Sequence, residues 1–149
     1  MSNRGYFGVG VYHPKTAANI GTLWRSASVF GAAFIFTIGK RYKKQASDTT
    51  STPTHTPLFH FNGFEDFKGC APYSCPIIAI EQTQDSVNIS SFNHPERAVY
   101  LLGAEDHGIP DSVLSQCHKV VEIRTPTCLN VAVAGSIILY DRQTKREKP

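Results

Sequence analysis

Residues 5–12 carry Tyr6, Phe7, Val9 and Val11 in a mostly apolar run interrupted by small glycines rather than by charges. That is the pattern of a strand covered on both faces. From Ala18 the period changes. Ile20, Leu23, Trp24 and Ala27 fall at i, i+3, i+4 and i+7, the stripe of an amphipathic helix ending near Phe30 and Gly31. Apolar runs predict four further strands at Ala33–Ile38, Pro76–Glu81, Ala98–Leu102 and Lys119–Ile123. A short helix is predicted over Pro110–Gln116, opened by Pro110 and Asp111, and a longer closing one from Asn130 to about Thr144. Strands alternating with helices define an α/β class with a mainly parallel sheet flanked by helices on both sides.

In the closing helix Val131, Ala134 and Ile138 form one apolar row, while Val133, Ile137 and Tyr140 form another. Two buried faces are expected. One covers the sheet, and the other needs a neighbouring helix or a second subunit. Between the second and third predicted strands, Gln45–Pro57 is rich in Ser, Thr and Pro and almost without apolar residues, which reads as a surface loop.

A chain of 149 residues predicts one domain over residues 1–149. Hydrophobic residues at 41% against charged ones at 18% exclude compositional disorder and allow a core. The longest apolar-leaning stretches, Val29–Gly39 and Leu129–Tyr140, hold 11 and 12 residues, against about 20 for a membrane span. No membrane association is expected. With no secretory signal in Met1–Gly8, the expected location is cytoplasmic.

The net charge of +3 is mild for a nucleic-acid-binding domain, and its distribution says more. Lys40, Arg41, Lys43 and Lys44 follow an apolar strand directly, and Arg142, Lys145, Arg146 and Lys148 close the chain. Each group reads either as a solvated surface or as a face for a phosphate backbone. Cys70, Cys75, Cys117 and Cys128 contain no CxxC pair, so neither a disulfide framework nor a metal site is expected. Gly8-Val9-Gly10 lacks the third glycine of a dinucleotide fingerprint, because His13 stands there. His107 reads as an exposed loop histidine or a general base.

In α/β proteins ligands gather at the carboxyl ends of strands. The first predicted strand is followed by Asn19, Gly21 and Arg25. The fourth runs into Leu101-Leu102-Gly103-Ala104-Glu105-Asp106-His107-Gly108-Ile109-Pro110, and the fifth leads to Cys128-Leu129-Asn130 at the start of the last helix. Together these segments resemble the three motifs of the SpoU/TrmH branch of the SPOUT methyltransferases, in order and over most of the chain. The sequence departs from that pattern at Cys128, where serine is more common, and at Arg124, where proline is.

The resemblance implies a SPOUT fold with a deep C-terminal trefoil knot, a homodimer with a site shared between subunits, and S-adenosylmethionine as cofactor. It implies cofactor contacts from Ile80, Leu102, Gly103, Ile123, Cys128 and Leu129. Arg25, Asn19, Glu105 and Asn130 become the polar catalytic set, for methyl transfer to a ribose 2′-hydroxyl of RNA. Because a guanidinium is a poor base, Arg25 is expected to bind the adjacent phosphate and the nascent alkoxide. Lys40, Arg41, Lys43 and Lys44 become the RNA-binding group, with tRNA favoured over rRNA. A non-catalytic RNA-binding module and a base-methylating enzyme are the alternatives. Retention of the whole polar set opposes the first, and the arginine-bearing first motif opposes the second.

Overall fold

The computed structural model describes residues 4–42 and 55–147. Its chain order is β1 (Tyr6–Tyr12), α1 (Ala17–Val29), β2 (Phe34–Ile38), β3 (Leu58–Phe61), α2 (Phe64–Cys70), β4 (Ile77–Ile80) and β5 (Val87–Asn88). Then come β6 (Arg97–Gly103), α3 (Asp111–Leu114), β7 (Lys119–Glu122) and α4 (Val131–Arg146). The seven strands form one sheet in the order β3-β2-β1-β6-β4-β7-β5, and every pairing is parallel. The expected α/β class and the five predicted strands are present. No helix among the described residues is long and apolar enough to cross a membrane.

Period-2 alternation in a strand sends successive side chains to opposite faces. Phe7, Val9, Val11, Ile35, Tyr100 and Leu102 join the layer under α1 and α4, where Ile20, Leu23, Ile138 and Leu139 close the core. Phe34, Phe36, Val99 and Leu101 face the other way, against Phe64 and Phe67 of α2 and Val113 of α3. The glycines in β1 belong to this second layer. A Cβ on Gly8 would lie 2.3 Å from the Phe34 ring, and one on Gly10 would lie 2.5 Å from Phe36. They make room for aromatic rings rather than for a pyrophosphate.

Three elements go beyond the predicted set. β3 is four residues long, β5 two, and α2 carries Gly69 within its seven residues; runs so short show no readable period. The helix predicted over Pro110–Gln116 is α-helical only at Asp111–Leu114. Past Leu114 the chain tightens, with Gln116 and Cys117 donating to the carbonyls of Val113 and Leu114. Most of the expected Gln45–Pro57 loop lies outside the described residues.

The closing helix leaves one expectation open and corrects another. Its row through Val131 and Ile138 is buried, but Val133, Ile137 and Tyr140 are 47%, 37% and 60% exposed. α1 packs beside α4 and leaves this second face open. The C-terminal basic group is not one solvated surface either. Arg142 is 2% exposed and donates to the carbonyls of Pro95, Glu96 and Arg4 at 2.7, 2.6 and 3.0 Å, and to Tyr100 Oη at 3.0 Å. Lys145 pairs with Asp141 at 2.8 Å and donates to the carbonyls of Ile89 and Phe92. Lys148 lies outside the described residues.

These bonds tie the C-terminal helix to the segment that leads into β6. His94 continues the network. Its Nε2 donates to Asp141 at 2.8 Å and its Nδ1 accepts from Tyr100 Oη at 2.7 Å, the tautomer that an acceptor-only carboxylate requires. Burial pushes the Tyr100 hydroxyl up to about 12, against the pull of Arg142. Burial also holds the His94 imidazole below its ordinary value, with Asp141 opposing.

Two outcomes are expected. Arg142→Met strands three carbonyl acceptors, so urea denaturation should show a loss of at least about 3 kcal/mol, at roughly 1 kcal/mol or more for each buried acceptor. For His94, a depressed folded pKa means stability that is fully present above the unfolded value of about 6.5 and is lost as pH falls through the folded one. The wild-type Tm should therefore drop below about pH 6.5 more steeply than that of His94→Gln, in melts recorded from pH 8 to 5.

Candidate active site

In a parallel sheet all strand carboxyl ends point the same way. Adjacency of β1, β6, β4 and β7 therefore gathers the segments that follow them on one rim. After β6 the chain turns back on itself, Gly108 donating to the Ala104 carbonyl at 3.0 Å. Two glycines permit this turn. Gly108 has φ +61°, a left-handed conformation that favours glycine, and a Cβ on Gly103 would lie 2.8 Å from the Gly108 backbone.

Two residues after β4 secure the neighbouring loops. Glu81 Oε2 accepts from the Ile109 amide at 3.1 Å. Gln82 Nε2 donates to the carbonyls of Ile123 and Thr125 at 2.8 and 3.3 Å. The short stretch after β7 is held further by Arg124, whose guanidinium contacts Glu122 Oε1 at 2.6 Å and keeps that carboxyl below its ordinary value. The motif-based reading named Ile80 but missed Glu81 and Gln82. The strand-end rule applied to β4, as to the other strands, would have found them.

These loops enclose a hollow of about 550 Å³, and Ile80, Leu102, Gly103, Ile123, Cys128 and Leu129 all line it. Its volume falls in the range of about 300–1,000 Å³ usual for small-molecule sites. Apolar walls alternate with polar groups of the 103–109 turn, and Cys128 is exposed. His107 also lines the hollow.

At its rim, where Glu105 lines the hollow, three of the four expected catalytic residues meet, Asn19 and Asn130 lining a neighbouring hollow beside α4. Asn19 Nδ2 donates to Glu105 Oε1. Asn130 Nδ2 donates to Asn19 Oδ1 at 2.9 Å and to Glu105 Oε1 at 3.3 Å. Asn130 Oδ1 accepts from the amides of Ala132 and Val133 at 2.9 and 3.3 Å, so the same side chain caps α4. An ion pair runs alongside, Lys15 Nζ to Asp106 Oδ2 at 2.6 Å; each partner stabilises the charged form of the other, raising the lysine and lowering the carboxyl.

Arg25 is not in this cluster. Six residues beyond Asn19 at 3.6 residues per turn, it sits about 120° round the helix axis, exposed on the outward side of α1. It has no hydrogen-bonding partner among the described residues. Of the expected RNA-binding group, Lys40 donates to the Lys15 carbonyl at 3.0 Å and Arg41 is exposed. Lys43 and Lys44 lie outside the described residues.

Comparison with known proteins agrees with this α/β architecture. The profile of the SpoU rRNA Methylase family matches residues 7–140, and the chain belongs to that family. It is 29% identical over 136 residues to the mouse (Mus musculus) tRNA (guanosine(18)-2'-O)-methyltransferase TARBP1, covering 83% of this chain. The chain spans only 8% of that relative's length. A solved structure described as giving structural insights into the 2-OH methylation of C/U34 on tRNA superposes with a TM-score of 0.83 at 21% identity, over 95% of this chain and 97% of the other. The SpoU methyltransferase AviRb of Streptomyces viridochromogenes, in complex with the cofactor AdoMet, gives 0.82 at 21% identity over 98% and 62%.

Asn130→Ala removes the α4 cap together with both ties to Asn19 and Glu105. Urea denaturation is expected to register a loss of about 1–2 kcal/mol, the upper range for a cap, because the cluster loosens with it.

Proposed function

We propose that this chain transfers a methyl group from S-adenosylmethionine to a ribose 2′-hydroxyl of RNA, with tRNA the favoured substrate. The observation that carries the reading is the hydrogen-bonded Asn19–Glu105–Asn130 cluster at the rim of a hollow lined by every residue expected to touch the cofactor. Family membership and the AdoMet-bound AviRb neighbour support the choice of cofactor. The mouse relative's name supports tRNA.

The residues fit the cofactor. Ile80, Leu102, Ile123 and Leu129 offer apolar contact, and backbone at Gly103 lies where a side chain would collide with the turn. Bound there, S-adenosylmethionine supplies a methyl group on a cationic sulfur. The chain must then place the ribose hydroxyl in line and stabilise the charge that develops on it. Arg25 binds the adjacent phosphate and that oxygen through its planar fork of donors, while the hydroxyl proton leaves to water or a neighbouring group. Asn19, Glu105 and Asn130 keep the rim in shape.

The reading includes a homodimer and a shared site. Its support is the uncovered face of Val133, Ile137 and Tyr140, which continues onto Phe30 and Thr22 of α1 around a second hollow of about 550 Å³. Arg25, turned away from its own cluster, is then free to serve the cluster of a second copy. It also includes the C-terminal trefoil knot. The support there is the sheet order, in which β7 enters between β4 and β5, bringing residues 119–130 beside the segment that joins those two strands.

Transfer of labelled methyl from S-adenosylmethionine to total tRNA and, separately, to rRNA tests the reaction, with nuclease mapping of the label. Label is expected on a 2′-hydroxyl of tRNA, reduced about 100-fold or more in Arg25→Ala, as for loss of a donor to a developing oxyanion, and comparably in Arg25→Lys. Cofactor binding without label on either RNA would overturn catalysis in favour of a binding module. Full turnover by Arg25→Lys would overturn the bidentate role.

A further inference from the structure

At the opposite end of β1 from the catalytic cluster, about 20 Å away at 3.3 Å per residue, lies a second and unrelated concentration of charge. A hollow of about 120 Å³ opens there between the start of β1 and the last turns of α1 and α4, lined by Arg4, Arg142, Arg146, Gln143 and Glu147 beside Phe30. Three arginines line it against one glutamate.

The arginines differ in what they do. Arg142 is 2% exposed, and its terminal nitrogens are used on carbonyls and on Tyr100. Its Nε–H, however, is the one buried side-chain polar group without a hydrogen-bond partner among the described residues. None of its hydrogen-bond partners is a carboxylate, so Arg142 brings uncancelled positive charge to the wall of the hollow. Arg4 contributes its backbone carbonyl to Arg142, while its guanidinium rests over Gly31 with no hydrogen-bonding partner among the described residues. Arg146 donates to the His94 carbonyl at 3.2 Å and Gln143 to Glu147 at 3.4 Å.

We propose that this hollow is an anion site that takes a phosphate group, supplied by the RNA backbone at a distance from the nucleotide being methylated. The hollow is small, about 120 Å³ against about 300–1,000 Å³ for small-molecule sites, which suits one tetrahedral oxyanion better than a nucleoside. Guanidinium groups are the side chains best matched to phosphate oxygens. The site rests on the proposed function for the source of the phosphate but not for its chemistry. A folded tRNA is long enough to reach both ends of β1, whereas a short oligonucleotide held at the catalytic rim is not. The remote contact therefore selects for extended substrate.

The test uses Arg4→Gln and Arg4→Glu, which alter an exposed side chain and leave the backbone carbonyl that Arg142 needs. Inorganic phosphate, titrated at constant ionic strength, should raise the Tm of the wild type and not of either variant. In filter binding across a salt series, both variants should bind tRNA several-fold more weakly, with a salt slope shallower by about 0.7–0.9 per lost phosphate contact. A trinucleotide spanning the methylation site should bind all three proteins equally. A lost phosphate response with unchanged tRNA affinity supports the site and assigns it to a free phosphate or phosphomonoester. Absence of any phosphate effect on wild-type Tm overturns the proposal, even if the variants weaken tRNA binding, since that loss is then general charge attraction. The phosphate arm is read without RNA, so it stands or falls separately from methyl transfer.

Discussion

Asn130 is bonded at once to Asn19, to Glu105 and to the first turn of its own helix, and the arrangement of the rim depends on that one carboxamide. Its oxygen satisfies amides that no intrahelical carbonyl can reach, which leaves only its nitrogen to face the other two segments. Helix and cluster are thus oriented by a single planar group. The same economy makes the residue hard to replace, since a carboxylate keeps the cap but loses the donor, and a hydroxyl reaches only one partner.

The parallel sheet is what allows residues so far apart in the chain to meet. Asn19 and Asn130 are separated by 111 positions, and only the adjacency of β1, β6, β4 and β7 brings their loops to one side. Around that rim the supporting contacts are divided by task. Glu81 fixes the turn after β6, Gln82 fixes the stretch after β7, and Lys15 with Asp106 links the β1 and β6 loops from outside. A site that works by orientation needs such supports, because small displacements of a reacting group have large effects on rate.

At the other end of the sheet, charge is used differently. Arg142 acts as a multiple donor to carbonyls at the entrance to β6, and His94 and Tyr100 extend that network to Asp141. This explains how a short chain with exposed apolar residues on α4 still holds its last helix against the sheet. Buried polar groups carry little net stability when satisfied but are costly to disturb. They fix one orientation of α4, and that orientation sets where Asn130 stands.

Much of this was legible in the residues themselves. The strand and helix periods of β1, α1, β6 and α4 are local properties, set by alternation and by 3.6 residues per turn, and the glycines and polar residues after β1, β6 and β7 marked the rim. β3, α2 and β5 were not legible, because elements of four, seven and two residues are too short for a period to emerge. Nor could a period say whether Val133, Ile137 and Tyr140 are covered, since an apolar row shows a preference for burial and not the presence of a neighbour. The chain order of charges likewise grouped Arg142 with Arg146 and Lys148, although Arg142 lies in the interior. Local pattern determined the elements and the chemistry carried at their ends. Strand order, the outward turn of Arg25 and the burial of Arg142 were decided only by the tertiary structure, because they depend on contacts between residues tens of positions apart, which no local period encodes.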